Sequence, residues 1–345
     1  MILFNCDYNE GAHESILRKL SETNMEQTVG YGEDPYCQSA EKRIQELCQA
    51  PGAKVHFLTG GTQANLTVIG AALRPHQGAV GVETAHINGH ETGAVEATGH
   101  KILTVPSEDG KLRAEQVEEL YRVQVLDNDA FEHVVQPKLV YISNPTELGT
   151  IYYEEDLKKL REVCDRHGLY LYMDGARLAY GLAAADNDLD LVKIAKYCDA
   201  FYIGGTKVGA LFGEAVVLVN PALQEDFRYL IKQRGGMLAK GRILGIQFDE
   251  LMKGDLYESL GAHADQMADR IREAFAKKGC RFLVENKTNQ IFVILEDSLI
   301  SRLGENFGYC PHCRIDESHS AIRLCTSWAT QEAQVDALVE AIENL

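Results

Sequence analysis

The sequence predicts an α/β protein with a large, mostly parallel sheet followed by a smaller α/β domain, and three observations carry that prediction. Short apolar runs alternate with amphipathic segments of helix length through most of the chain, the pattern of a parallel sheet with helices on both faces. The 345 residues, 45% of them hydrophobic, suffice for a sizeable core. Three of the apolar runs also end in residues that one site could use together, and open α/β sheets bind ligands beyond the carboxyl ends of their strands.

In chain order, Asn5 to Tyr36 is polar and glycine-rich and reads as an arm crossing a surface. Ala40, Ile44 and Leu47 share one face of a helix from Gln38 to Leu47, which ends before Pro51-Gly52. A strand over Val55 to Leu58 meets the turn Gly60-Gly61-Thr62 and a helix from Gln63 to Leu73. Next come a strand at Ala79 to Val82 and a helix at Asn88 to Ala97. Strands at His100 to Val105 and Lys138 to Ser143 flank a helix at Ala114 to Tyr121 and an irregular acidic connection at Asp127 to Glu132. Glu154 to Arg166 sets Leu157, Leu160 and Val163 on one helical face, and Gly168 closes it. Tyr170 to Asp174, Ala200 to Gly204 and Ala215 to Val219 supply further strands.

After Asn220-Pro221 the pattern turns helical, at Gln224 to Gln233, Leu238 to Met252 and Leu256 to Lys277. Strands at Gln290 to Leu295 and Ala321 to Cys325 and a helix from Gln331 to Glu343 follow. The change of pattern divides the chain into an arm and large domain, residues 1–250, and a small domain, residues 251–345.

Charge and cysteines narrow the setting. A balance of 51 acidic against 34 basic residues, formally −17, opposes nonspecific attraction to nucleic acid or an anionic membrane. The start Met1-Ile2-Leu3-Phe4-Asn5-Cys6-Asp7 has no basic stretch ahead of an apolar one, and no run reaches membrane-spanning length. Nine scattered cysteines fit reduced thiols. The expectation is a cytoplasmic enzyme of a small molecule, with no nucleic-acid or membrane partner.

The chemistry lies at the strand ends. Phe201-Tyr202-Ile203-Gly204-Gly205-Thr206 delivers Lys207, Leu171-Tyr172-Met173 delivers Asp174, and the first strand delivers Gly60, Gly61 and Thr62 ahead of a helix. Each alone has a plain reading: a solvated lysine, a turn aspartate, a helix cap. Together they are what pyridoxal 5′-phosphate requires, namely a lysine for its aldehyde, a carboxylate for its pyridine nitrogen and an anion site for its phosphate. Arg177 suits either a carboxylate, the cofactor phosphate or a structural ion pair. Arg323 is an awkward guest between Ile322 and Leu324 and points to a substrate carboxylate. His86 is placed to stack on the ring and act as acid or base, and His133 is a further candidate for proton transfer. Cys310-Pro311-His312-Cys313 lacks both the strand-to-helix setting of a redox pair and a second pair of zinc ligands, so no metal site is expected.

With these residues in place, the chain resembles the threonine aldolases, in the group of aromatic amino acid β-eliminating lyases and threonine aldolases. The likeness rests on Tyr31-Gly32-Glu33-Asp34-Pro35, Gly60-Gly61-Thr62-Gln63-Ala64-Asn65, Asp174-Gly175-Ala176-Arg177, Lys207, Thr288-Asn289-Gln290 and Ile322-Arg323-Leu324-Cys325-Thr326. It implies the aspartate aminotransferase-like fold of pyridoxal phosphate enzymes and retro-aldol cleavage of threonine or allo-threonine to glycine and an aldehyde. β-Elimination or transamination of another amino acid shares every one of these motifs and stays open, as does a scaffold without turnover. The resemblance further implies Lys207 as the Schiff-base lysine, Asp174 as the pyridinium partner, Gly61 and Thr62 at the phosphate and His86 on the ring. Arg177 and Arg323 would hold the carboxylate, and His133 falls where the family has a second active-site histidine. Family members are homodimers or homotetramers with sites between subunits, so Tyr31 would serve a neighbouring chain. The chain departs from the family at Cys6, where a serine that reads the substrate is usual, and at Leu238, where an arginine is usual, although Lys240 and Arg242 lie close by.

Overall fold

The computed structural model describes residues 1–344. Strand β1 (Ile2–Leu3) and helices α1 (Glu14–Glu22) and α2 (Pro35–Leu47) form its beginning. The segment expected as an irregular arm therefore contains a helix. Ile16, Leu17 and Leu20 fall at helical spacing over this short stretch, and only Ile16 of them is buried. Helix α2 starts three residues earlier than its apolar spacing suggests. Asp34 caps it through Tyr36 and Cys37 N–H at 3.1 and 3.0 Å, and Pro35 occupies its first turn.

The chain then alternates strands and helices: β2 (Lys54–Leu58), α3 (Gly61–Ala72), β3 (Gln77–Val82), α4 (His86–Gly89), β4 (Ile102–Val105) and α5 (Ala114–Tyr121). It continues with β5 (Gln136–Ser143), α6 (Glu154–His167), β6 (Tyr170–Asp174), α7 (Leu178–Ala183), α8 (Leu191–Tyr197), β7 (Ala200–Gly204) and β8 (Glu214–Leu218). The helix expected over Asn88 to Ala97 is a single turn, α4, then a reversal through Thr92 and Gly93 at φ +51° and +74° and a short 3₁₀ turn. The chain cannot stay helical through such left-handed positions.

Seven strands pair in the order β2-β8-β7-β6-β5-β3-β4. All neighbours are parallel except β8, which runs against both β2 and β7. Strands β2, β6 and β7 thus end at one edge of the sheet, and β8 begins there, Glu214 lying opposite both Leu58 and Gly204. Strands β7 and β8 are buried along their whole length, as expected of a sheet with helices on both faces.

Helices α9 (Phe227–Gln233), α10 (Arg242–Leu251) and α11 (Leu256–Lys277) lead to β9 (Arg281–Phe282), β10 (Gln290–Glu296), α12 (Asp297–Gly304), β11 (Phe307–Gly308), β12 (Cys310–Arg314), β13 (His319–Cys325) and α13 (Glu332–Glu343). An antiparallel sheet of order β12-β13-β10-β9 forms, and β1 pairs with β11. The Cys-Pro-His-Cys segment is the edge strand β12, and all nine cysteines are free thiols. One apolar core surrounds the large sheet. A second takes Phe4, the far half of α11 from Met267, β10, β13 and α13.

Candidate active site

Asp174 closes β6, and its side chain is 4% exposed. Its Oδ2 accepts from Tyr141 Oη at 2.7 Å and Asn65 Nδ2 at 3.0 Å, and its Oδ1 from Ala176 N–H at 3.0 Å. Burial works to raise its pKa, but the His86 charge and these bonds outweigh that, and the carboxyl is held below its ordinary value. Gly175 follows because a Cβ there would come within 1.9 Å of Tyr202 O. Only glycine lets the chain leave β6 so close to β7.

Lys207 sits on the loop that joins β7 to β8. Gly205 and Thr206 N–H both donate to Gly213 O, at 3.0 and 3.1 Å, and the Tyr180 hydroxyl donates to Lys207 O. The backbone is thereby fixed while the amine Nζ has no hydrogen-bond or ion-pair partner among the described residues. Burial and the Arg177 charge depress its pKa, which favours the neutral, nucleophilic form.

Both residues line a cavity of about 240 Å³, together with Gly60, Gly61, Thr62, His86 and Arg177. Helix α3 makes its first bond from Ala64 N–H to Gly60 O, so the N–H groups before Ala64 have no intrahelical acceptor and the positive end of the helix faces the cavity. A Cβ on Gly61 would approach Tyr202 Oη to 2.9 Å, so a side chain at Gly61 would press on the buried Tyr202 phenol. His86 starts α4 with its Nδ1 2.8 Å from Glu91 Oε1. Burial lowers the imidazole's pKa, and the bond to Glu91 with the Asp174 charge more than reverses this. Glu91 in turn accepts from the same Asn65 amide that serves Asp174, at 2.7 Å.

Other expected residues lie elsewhere. His133 is exposed on a 3₁₀ turn, because the acidic connection folds outward on the surface and away from the strand ends. Tyr31 is 48% exposed and lines a separate cleft of about 500 Å³ with His56, Arg228 and Met237, so within one chain it does not reach Lys207. Cys6 Sγ donates to Asn9 Oδ1 at 3.0 Å and is not part of the cavity wall. Arg323 is half-buried outside that wall, its guanidinium donating to Asn5 O at 3.2 Å and to Gln290 Oε1 at 3.4 Å. Arg177 does line the cavity, but two of its nitrogens are taken by Asp7, which makes it first an ion-paired residue. Arg242 is spent on Thr23 O and Glu26 O and does not replace the arginine absent at Leu238.

Reading the sequence alone missed Glu147, Glu214, Tyr8 and Tyr202 in the wall. Glu147 accepts from Ser143 Oγ at 2.7 Å and from His86 N–H at 3.0 Å, and burial raises its pKa. One signal was available for Glu214, a charged residue opening the apolar run Ala215-Val216-Val217-Leu218.

The sequence matches the family described as beta-eliminating lyase over residues 7–298. A low specificity L-threonine aldolase of Pseudomonas sp. (strain NCIMB 10558) is 29% identical, with 98% of this chain and 96% of that protein covered. The Pseudomonas aeruginosa protein of the same name is 28% identical over the same shares. A solved threonine aldolase of Leishmania major superposes with a TM-score of 0.97 at 45% identity, covering 100% of this chain and 99% of that one. An aspartate aminotransferase of Thermus thermophilus, at TM-score 0.72 and 14% identity, shares the fold. With pyridoxal phosphate suited to the unpartnered lysine, the buried carboxylate and the backbone cradle, the chain belongs to the beta-eliminating lyase family.

Proposed function

We propose that this protein cleaves a β-hydroxy-α-amino acid, threonine or allo-threonine being the type substrate, to glycine and an aldehyde. The observation that carries the reading is the meeting of a partnerless amine, Lys207, a buried carboxylate, Asp174, and a helix N-terminus in one cavity, in a chain similar throughout to threonine aldolases.

Lys207 would hold pyridoxal phosphate through its aldehyde, Asp174 would face the ring nitrogen, and Gly60, Gly61 and Thr62 would take the phosphate. When bound, the cofactor supplies an electron sink for the bond broken at the substrate Cα. Asp174, fixed by Tyr141, Asn65 and Ala176, keeps a negative charge where a protonated ring nitrogen needs one. His86 has its Nδ1 committed to Glu91, so Nε2 is the nitrogen left to face the substrate, and it takes the β-hydroxyl proton in the neutral form of the imidazole. Glu147, beside it, is a second acceptor. Arg177 offers its remaining nitrogen to a carboxylate, with Arg323 the candidate for the other oxygen. Holding the carboxylate sets the Cα–Cβ bond to be broken. The active assembly is a homodimer or homotetramer, in which Tyr31 serves the neighbouring chain.

The test is an absorbance spectrum of the purified protein with pyridoxal phosphate, before and after borohydride, alongside Lys207→Ala, followed by product analysis with threonine and allo-threonine. The expected result is a visible band that borohydride bleaches and Lys207→Ala lacks, with glycine and acetaldehyde released. Ammonia with an α-keto acid, or turnover only with an added keto acid, would replace the aldolase reading by elimination or transamination.

A further inference from the structure

Glu214 is the one carboxyl of the cavity wall that the mechanism above leaves without work. It opens β8, is 3% exposed, and reaches the site only because β8 runs against β7. Its Oε1 accepts from Thr206 Oγ1 at 2.8 Å and its Oε2 from Gly205 N–H at 3.2 Å, so it grips the two residues immediately before Lys207. Thr206 Oγ1 also accepts from Gly213 N–H at 2.9 Å, which closes the loop into a ring with Glu214 at its base. Nothing in chain packing demands an acid here, since its strand neighbours Ala215, Val216 and Val217 are wholly apolar and buried.

We propose that Glu214 is a positioning residue for Lys207: it clasps the lysine's loop through Thr206 and Gly205, and its charge governs the protonation of the amine. This rests on Lys207 being the reactive lysine. The groups that face the pair are few. Asp174 comes from β6, the Tyr202 phenol from β7 and the Tyr257 phenol from α11, whose hydroxyl donates to Gly204 O at 2.8 Å, while Arg177, Asp7 and His86 act on the amine. Burial pushes the Glu214 carboxyl up to about 8 against the pull of the Lys207 charge, and an ionised Glu214 in turn favours the protonated amine. Two such groups titrate together, so each sets the other's proton occupancy. A Glu214 anion favours the protonated amine, and a Glu214 that keeps its own proton, or a neutral side chain in its place, releases that hold.

The experiment measures Lys207 itself. Apoprotein is acylated briefly with an amine-directed reagent across a pH series, modification of the Lys207 peptide is quantified by mass spectrometry, and the pH dependence of the absorbance of added pyridoxal phosphate is recorded in parallel. Glu214→Gln keeps the shape and removes the charge. The midpoint of Lys207 labelling should fall by about one pH unit, and the absorbance transition should move with it. Thr206→Val removes one hydrogen bond from the carboxylate, raises its pKa, and should shift the midpoint the same way by less. Glu214→Asp, which keeps the charge, should restore much of the wild-type midpoint. Unchanged midpoints in Glu214→Gln overturn the proposal. If that variant does not fold, an unchanged midpoint in Thr206→Val does so. Should Lys207→Ala keep its cofactor band, the assignment of the lysine fails instead, while the labelling shift still reports on the Glu214 coupling.

Discussion

Asp7 and Arg177, 170 residues apart in sequence, form a two-point ion pair beside the cavity, with Nε–Oδ2 at 2.7 Å and Nη2–Oδ1 at 3.0 Å. Asp7 also accepts from Asn289 Nδ2 at 2.9 Å, so this single carboxylate joins the N-terminal segment to the turn after β6 and to the segment that leads into β10. A charge this deeply buried is tolerated only while its partner is present.

Asp7→Ala should therefore destabilise the apoprotein by about 3–5 kcal/mol, since it leaves the Arg177 guanidinium buried without a counter-charge. Adding Arg177→Met should recover much of the loss, which thermal unfolding of the single and double variants measures. Burial tends to raise the Asp7 pKa, but the Arg177 and Lys207 charges bring it below its ordinary value. With the folded-state pKa below the unfolded one, the stabilisation is present above the unfolded carboxylate pKa and is lost as the pH falls through the folded one. The wild-type melting temperature should accordingly drop more steeply in acid than that of the double variant.

Asp265 shows the opposite case. On α11 it is 5% exposed, neither carboxyl oxygen has a hydrogen-bond partner among the described residues, and burial drives its pKa well above the ordinary value. A carboxyl with a raised folded-state pKa favours the fold below its unfolded pKa, and that contribution fades as the pH rises towards the folded value. Asp265→Ala should gain about 1–3 kcal/mol at neutral to alkaline pH, the penalty of an unsatisfied buried group, and gain least in acid. Melting temperatures of the two proteins at acid and alkaline pH decide it, and a pH-independent difference would rule the idea out.

These residues mark where the sequence stops being legible. Lys207, Asp174 and Gly60-Gly61 could be read because each closes a recognisable apolar strand, and strand ends are where an α/β sheet keeps its ligands. Most strands followed from apolar runs for the same reason. Glu214 was hidden by direction: with β8 taken as one more strand of a mostly parallel sheet, its first residue would lie at the far edge, and only the antiparallel pairing with β7 brings it to the site. His133 shows the converse, a candidate that the fold leaves exposed. Its position in the sequence resembled the family's second histidine, yet burial and reach are tertiary properties, and the turn that carries it faces solvent. Asn65, which donates to Asp174 and Glu91 at once, sits inside a helix where an amide has no local signature.

Asp174→Asn should separate folding from chemistry. The amide oxygen can still accept from Ala176 N–H and the new Nδ2 can donate to the Tyr141 hydroxyl oxygen, with only the bond from Asn65 lost, so the melting temperature should fall by no more than one buried hydrogen bond implies. It carries no charge to offset a protonated ring nitrogen, and kcat for threonine cleavage should fall by at least ~10²-fold, about 3 kcal/mol of barrier. Activity within a few-fold of wild type would mean that the carboxylate is structural.

Two candidate proton acceptors, Glu147 and His133, differ in burial. Glu147 stands in the cavity wall, bound to Ser143 Oγ and to the backbone N–H of His86, and burial raises its pKa towards the range in which a carboxylate is an effective base. His133 stands on the surface. Glu147→Gln keeps the volume and the bond from the His86 N–H but cannot take a proton, so kcat should fall by about 10²-fold or more. His133→Ala should change kcat by no more than about twofold, as expected of an exposed residue remote from the reacting atoms. With the Glu147 anion as an acceptor beside His86, one acid limb of the wild-type kcat profile should lie above the ordinary carboxylate value and should be absent from the residual activity of Glu147→Gln. A large loss in His133→Ala together with a near-normal Glu147→Gln would return the proton to the histidine and would require the turn at Phe131–His133 to fold over the cavity during turnover.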